Sequence, residues 1–269
     1  VSLEFEKWHG IGNDFVLLDG VPSAIDSEAL ADLALELCHR TFGVGADGLL
    51  VALPSEVAAA RMVMLNPDGS EAEMCGNGLR CFARWWHLLH GGESRFDIET
   101  GAGLRSCLVD GGLVEVDMGR VVAIPGLEPV EVEGQTMKSF GVDVGNPHLV
   151  VFLPDDREID LAIEGAKLER HSAFPNRVNV HFVSRIDGGL RMQTWERGAG
   201  ITMACGTGAC AVAFAARSEG WSEDSVAVQL PGGRLAIRLV DDRVLMRGPA
   251  ERSFVGRWIG FRGGWPDES

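Results

Sequence analysis

The chain is predicted to be an α/β protein built from two related halves. Short β-type runs alternate with glycine-rich turns and with three helix-like runs. Two motifs then recur in the same order. The run "GNDFVLL" from Gly12 matches "GNPHLVV" from Gly145, an offset of 133 residues. "LNPDGSEAEMCGNG" from Leu65 lies against "WERGAGITMACGTG" from Trp195, an offset of 130. Two matches in one order at nearly one spacing make a domain repeat, far longer than a solenoid period. The seam falls near "DMGRVVAIPG", at about residues 117–126, giving halves 1–120 and 121–258.

The elements follow in order. "FVLLD" from Phe15 and "GLLVAL" from Gly48 are strands, separated by the helix "SEALADLALELCHR", for which Ser27 is a suitable N-cap. A second helix, "GLRCFARWWHLLH", begins just after Cys75 and stops at Gly91. Strands "LVEVDMG" from Leu113 and "HLVVFL" from His148 come next, and the helix "GACAVAFAARSEG" opens just after Cys205 and closes at Gly220. A glycine at the end of each of the last two is the usual helix stop.

Composition bounds the function. The 269 residues are 46% hydrophobic and 23% charged, the make-up of a globular protein. A formal charge of -15 disfavours nucleic acid and anionic membrane surfaces as partners, while leaving a zwitterionic small molecule unrepelled. No run approaches the length of a membrane helix, and no secretory pattern precedes the first strand. Six cysteines are too few for a disulfide scaffold in this length, so a reducing cytoplasm is the expected setting.

Among those cysteines, Cys75 and Cys205 stand apart. Both lie in Cys-Gly-X-Gly at a helix mouth, where unpaired amides and the helix dipole favour an anion. That setting is expected to lower a thiol pKa from about 8.5 toward neutrality. The same amides suit a carboxylate. Two such ends facing one cleft would hold a carboxylate with a sulfur on each side of its α-carbon, an arrangement for taking a proton from one face and returning one to the other. Cys38 and Cys107 read as buried small residues, and Cys81 and Cys210 as helix packing. A zinc site from these thiols lacks the close-paired spacing, and no metal is expected. "GVGADG" from Gly43 has helix before and strand after, the reverse of a dinucleotide fingerprint, so it reads as a turn. His87 and His90 read as helix C-terminal imidazoles.

The runs "NPDGSEAEMCGNGLRCFAR", "WERGAGITMACGTGACA", "GNPH" and "FPNRVN" together resemble the diaminopimelate epimerase family, in order from "HGIGNDF" at His9 to "MRGPA" at Met246. The resemblance implies two pseudo-symmetric α/β domains, each a curved, largely antiparallel sheet around a central helix, with a last strand, at about 259–269, returning to the first. It implies epimerisation of LL-diaminopimelate to the meso form without cofactor, in lysine and peptidoglycan precursor synthesis, by a homodimer. Carried onto this chain, Cys75 and Cys205 are the acid/base pair. Gly76, Asn77, Gly206 and Thr207 lie around the reacting carboxylate. Asn13, Asn66, Asn146, Asn179, Glu196 and Arg197 form the polar substrate set, with His148 in support. Ile201, Gly48 and His181 depart from the family's common pattern.

Overall fold

The computed structural model describes residues 2–20, 27–154 and 157–260. The first half runs β1 (Leu3–Gly10), β2 (Asn13–Asp19), α1 (Ser27–Cys38), β3 (Gly48–Leu53), β4 (Ala60–Leu65), β5 (Glu71–Ala72), α2 (Gly76–His90), β6 (Arg95–Thr100), β7 (Gly103–Asp110) and β8 (Leu113–Arg120). Then come β9 (Val122–Ile124) and a small hairpin, β10 (Val130–Val132) with β11 (Gln135–Met137). The second half repeats the pattern: β12 (Ser139–Asp143), β13 (Pro147–Phe152), α3 (Leu161–Leu168), β14 (Asn179–Ile186), β15 (Gly189–Glu196), β16 (Gly200–Ile201), α4 (Gly206–Ser218), β17 (Ser225–Leu230), β18 (Gly233–Val240) and β19 (Arg243–Pro249), with β20 (Glu251–Trp258) last. The side chain of Ser27, the expected cap of α1, lies outside the described residues.

Pairing makes one palindromic sheet. From one edge it reads β20-β1-β2-β3-β4-β6-β7-β8, and then, across the seam, β19-β18-β17-β15-β14-β13-β12-β9. Among the described residues, only β2–β3, β4–β6, β13–β14 and β15–β17 are parallel. Each of these pairs spans a connection that carries a helix or a long loop, as parallel neighbours require. The rest is antiparallel, as expected. Helix α2 touches β1 and β2 at one end of its sheet and β7 and β8 at the other. Only a sheet curved round the helix permits that, and α4 is enclosed in the same way by β12 to β19.

The halves exchange their exit strands. After β8 the chain crosses to pair β9 with β12, and after β19 it crosses back to pair β20 with β1. The strand that returns is thus Glu251–Trp258, ahead of the expected 259–269, of which 261–269 lies outside the described residues. The connection fixes this: a single residue, Ala250, separates β19 from β20.

The apolar sequence of both central helices accounts for their burial. In α4 all but the polar residues and Phe214 of "GTGACAVAFAARS" are buried, with Ala209, Val212 and Ala215 fully so. In α2, Leu79, Phe82 and Ala83 are fully covered and Trp85 is 3% exposed. Both helices share one apolar core with β8 and β19. Two further clusters lie outside the sheet, under α1 and under α3.

Candidate active site

The repeat places Cys75 and Cys205 at equivalent points, as N-caps of α2 and α4 with extended backbones. The first helical bonds run from Leu79 N to Cys75 O, 2.8 Å, and from Ala209 N to Cys205 O, 3.0 Å. The amides ahead of these have no partner in their own helix. Gly208 N donates to Cys205 Sγ at 3.4 Å, and the Asn77 and Gly78 amides face the Cys75 sulfur. The two helix mouths are tied together directly: Asn77 Nδ2 donates to the carbonyl of Ala204, next to Cys205, at 3.4 Å. Met246 of β19 floors both, since a β-carbon on Gly76 would lie 2.6 Å from its Cε and one on Gly206 3.1 Å from its Sδ.

The remaining expected residues divide into four groups. Asn13, opening β2, accepts from Asn77 Nδ2 at 3.1 Å and from the Cys75 thiol at 3.7 Å. Glu196, closing β15, accepts from Thr202 Oγ1 at 2.6 Å and lies against the Cys205 thiol. Thr207 Oγ1 stands 3.7 Å from Cys205 Sγ. These belong to the cysteine cleft. Asn179 is buried and links strands: its Oδ1 accepts from Arg197 N at 3.0 Å and its Nδ2 donates to Pro147 O at 3.2 Å. The exposed Arg197 side chain donates to Asn176 O at 3.2 Å. Among the described residues Asn66 bonds only within its own turn, to Ser70 and Gly69. Its hydrogen bonds do not join it to either cysteine.

Behind α4 runs a buried chain of side chains. Asn146 Oδ1 is 2.8 Å from His148 Nε2, His148 Nδ1 is 2.8 Å from His181 Nε2, and His181 Nδ1 is 3.1 Å from Thr194 Oγ1. With the amide oxygen as acceptor, both rings carry hydrogen on Nε2, and Thr194 donates into the line. His181 lies against Gly208, so its ring supports the first turn of α4.

Both imidazoles are fully buried, and burial pushes them down, His181 to about 3 and His148 well below its usual value with His181 and Arg197 adding repulsion. The unfolded chain takes a proton at each near pH 6.5, whereas the fold does not. Their contribution is therefore complete above about pH 6.5 and is lost as pH falls from there toward the folded values. Two such rings give a stability slope of about 2.7 kcal/mol per pH unit below pH 6. Denaturant unfolding between pH 6.5 and 5 should give roughly half that histidine slope in His181→Gln. An identical pH dependence in parent and variant would exclude the buried neutral pair.

The expected lowering of the thiol pKa is reversed. Burial pushes the Cys75 thiol up against the pull of the Gly78 and Asn77 amides. Cys205, 4% exposed, is pushed up further, first by burial and then by the Glu196 carboxylate beside it. Desolvation of a thiolate outweighs the helix-end dipole here. Burial also raises Glu196.

Sequence reasoning passed over Asp47, the acid within "GVGADG". Its Oδ2 accepts from Asn13 Nδ2 at 2.7 Å and from Asp14 N at 3.1 Å, fixing the Asn13 amide against Cys75. The available signal was an acid at the mouth of a strand that runs parallel to the one opened by Asn13.

By fold the chain falls into a class of two-halved α/β proteins that includes epimerases and racemases. It superposes on a phenazine biosynthesis protein of the PhzF family from Bacillus anthracis with a TM-score of 0.75 at 16% identity, covering 97% of this chain and 100% of that one. A hydroxyproline epimerase from Agrobacterium vitis gives 0.71 at 16%, covering 95% and 92%. At these identities the likeness is one of fold alone. Within the class, the chain belongs to the diaminopimelate epimerase family. The family model for diaminopimelate epimerase matches residues 5–124 and 140–253. Diaminopimelate epimerase 1 of Nostoc is 44% identical over 279 residues, covering 96% of this chain and all of that one. The diaminopimelate epimerase of Moorella thermoacetica is 44% identical over 277, covering 94% and 98%.

Proposed function

We propose that this protein epimerises LL-2,6-diaminopimelate to meso-diaminopimelate with no cofactor, using Cys75 and Cys205 as base and acid. The observation that carries the reading is the pairing of two N-cap cysteines on helices whose mouths are tied by the Asn77–Ala204 bond. The amides of Gly76, Asn77, Gly206 and Thr207 are the donors for the reacting carboxylate. Their fixed dipoles stabilise the negative charge that builds on it as the α-carbon loses its proton. One sulfur, as thiolate, takes the α-hydrogen. The electron pair spreads into the carboxylate, and the thiol opposite gives its hydrogen to the other face. The first cysteine ends as thiol and the second as thiolate, so protons balance and the pair is primed for the reverse direction.

The rest of the substrate needs a carboxylate and an ammonium held away from the reacting centre. The Glu196 carboxylate and the amides of Asn13, Asn66, Asn146 and Asn179 suit an ammonium. Arg197, whose side chain is exposed, has the planar fork that suits a distal carboxylate. His148 acts in support by holding the Asn146 amide. A place in lysine and peptidoglycan precursor synthesis, a cytoplasmic setting and a homodimer complete the proposal. Support for the first is family membership. Among the described residues, no helix is long and apolar enough to cross a membrane.

The direct test is incubation of the purified protein with LL-diaminopimelate alone, following the stereoisomers by chiral chromatography. No meso product over hours at micromolar enzyme would reject the proposal. Arg197→Lys retains charge and loses the fork. It should raise KM by about 10- to 150-fold, the equivalent of about 1.5–3 kcal/mol for a charged hydrogen bond, with the fold intact. Unchanged constants would remove Arg197 from the clamp.

A further inference from the structure

Arg80 lies in the second turn of α2 and is 0% exposed. Its contacts are weak: Nη1 is 3.4 Å from Gly76 O and from Met246 Sδ, and Nε is 3.4 Å from Pro249 O. Nη2 is buried with no partner. It is sealed under β1, where a β-carbon on Gly10 would lie 2.9 Å from it. Among the described residues no carboxylate forms an ion pair with Arg80, and the ionisable groups acting on it are Cys75 and Cys81 of α2 and Cys210 of α4.

Each of these features costs stability. An arginine in folded protein stays charged, and a buried charge without a counter-ion is unfavourable. A cation in the early turns of a helix also opposes the helix dipole. Anchoring the crossover does not account for it. Arg84, one turn on, already donates to the carbonyl of Ala250 and lies 5.7 Å from the Trp8 ring centre. An uncompensated cation does have one use in this place, because about one and a half turns of helix away negative charge must develop on a sulfur and on a carboxylate.

We propose that Arg80 is a positioning residue of the reaction, an unneutralised guanidinium that holds negative charge at the Cys75 end of the cleft. This rests on the two-cysteine reading above. The charges facing the two sulfurs are unequal. Cys75 has Glu196 from β15 against it and Arg80 from its own helix in its favour, whereas Cys205 has Glu196 in contact and lies outside the set of thiols on which Arg80 acts. In the free protein Cys75 is therefore the sulfur that ionises first, and Cys205 remains the proton donor.

The test is the pH dependence of iodoacetamide alkylation at Cys75 and at Cys205 in the full-length protein, resolved by peptide mass mapping. Arg80→Met removes the charge at similar volume. Its Cys75 midpoint should rise by about one pH unit or more, a tenfold slower reaction at neutral pH, with a smaller change at Cys205. Its melting temperature should equal or exceed the parent's, as when buried charges give way to apolar groups. Arg80→Lys keeps a cation without the fork and should hold a profile close to the parent's. A Met variant with the parent's profile, or a Lys variant shifted as far as Met, overturns the proposal. Because alkylation needs no substrate, a parent protein inactive on diaminopimelate would reject the function while leaving this result to be judged separately.

Discussion

Cys75→Ala and Cys205→Ala should each lose epimerisation by about 10³-fold or more, at the upper range for removing a positioned acid or base. The reason is stoichiometric. Inversion needs a proton removed at one face and delivered at the other, and the two cysteines are the N-cap residues of different helices. In heavy water the parent should place deuterium at the inverted carbon of early product while unreacted substrate stays largely unlabelled, since a thiol exchanges its hydrogen with solvent before delivering it. Each alanine variant should stop inversion, and the remaining thiol can still exchange hydrogen on its own face. Cys81→Ala and Cys210→Ala remove sulfurs that are fully buried in helix interiors and should cost stability before chemistry. Parent-rate inversion by a folded Cys75→Ala or Cys205→Ala protein would end the two-thiol mechanism.

Gly208→Ala is expected to damage both fold and rate. The new β-carbon would lie 2.3 Å from His181 Cε1, 2.7 Å from Nε2 and 2.9 Å from Nδ1. That ring is fully buried and hydrogen-bonded at both nitrogens, so it has little freedom to retreat. Helix α4 must shift instead, at about 1–3 kcal/mol for overpacking. The shift carries the Gly208 amide away from Cys205 Sγ, and a displacement near 1 Å at a reacting group costs about 10²-fold. Gly76→Ala makes a comparable clash, but with the thioether ends of Met118 and Met246, which can swing aside. Thermal melts and kcat for the two variants should therefore separate, Gly208→Ala being the worse in both. Parent-like values for Gly208→Ala would mean that the His181 ring does not brace the helix.

Much of this was legible in the residues themselves. The two-motif repeat is a linear signal, and it led to the matched halves and to cysteines at matched helix mouths. The helices after Cys75 and Cys205 were legible because apolar runs bounded by glycine need no partner to be recognised. The turn at "GVGADG" was read correctly as a turn, yet reading it only as a turn hid Asp47. Its role depends on β3 lying parallel beside β2, which brings residues 13 and 47 together. For Asn66, expected in the polar substrate set, tertiary structure adds only hydrogen bonds within its own turn among the described residues.

The sequence by itself determined the two halves, the helices that follow Cys75 and Cys205, and the matched placement of the two sulfurs, because each of these follows from local pattern repeated along the chain. Tertiary structure alone decided which strand returns to the first half, the burial of His148 against His181, and the isolation of Arg80. It also decided the direction of the thiol shifts. A helix mouth favours a thiolate wherever it occurs, but the cost of desolvating that thiolate depends on how much of the other half closes over it. That quantity exists only once the two halves have packed.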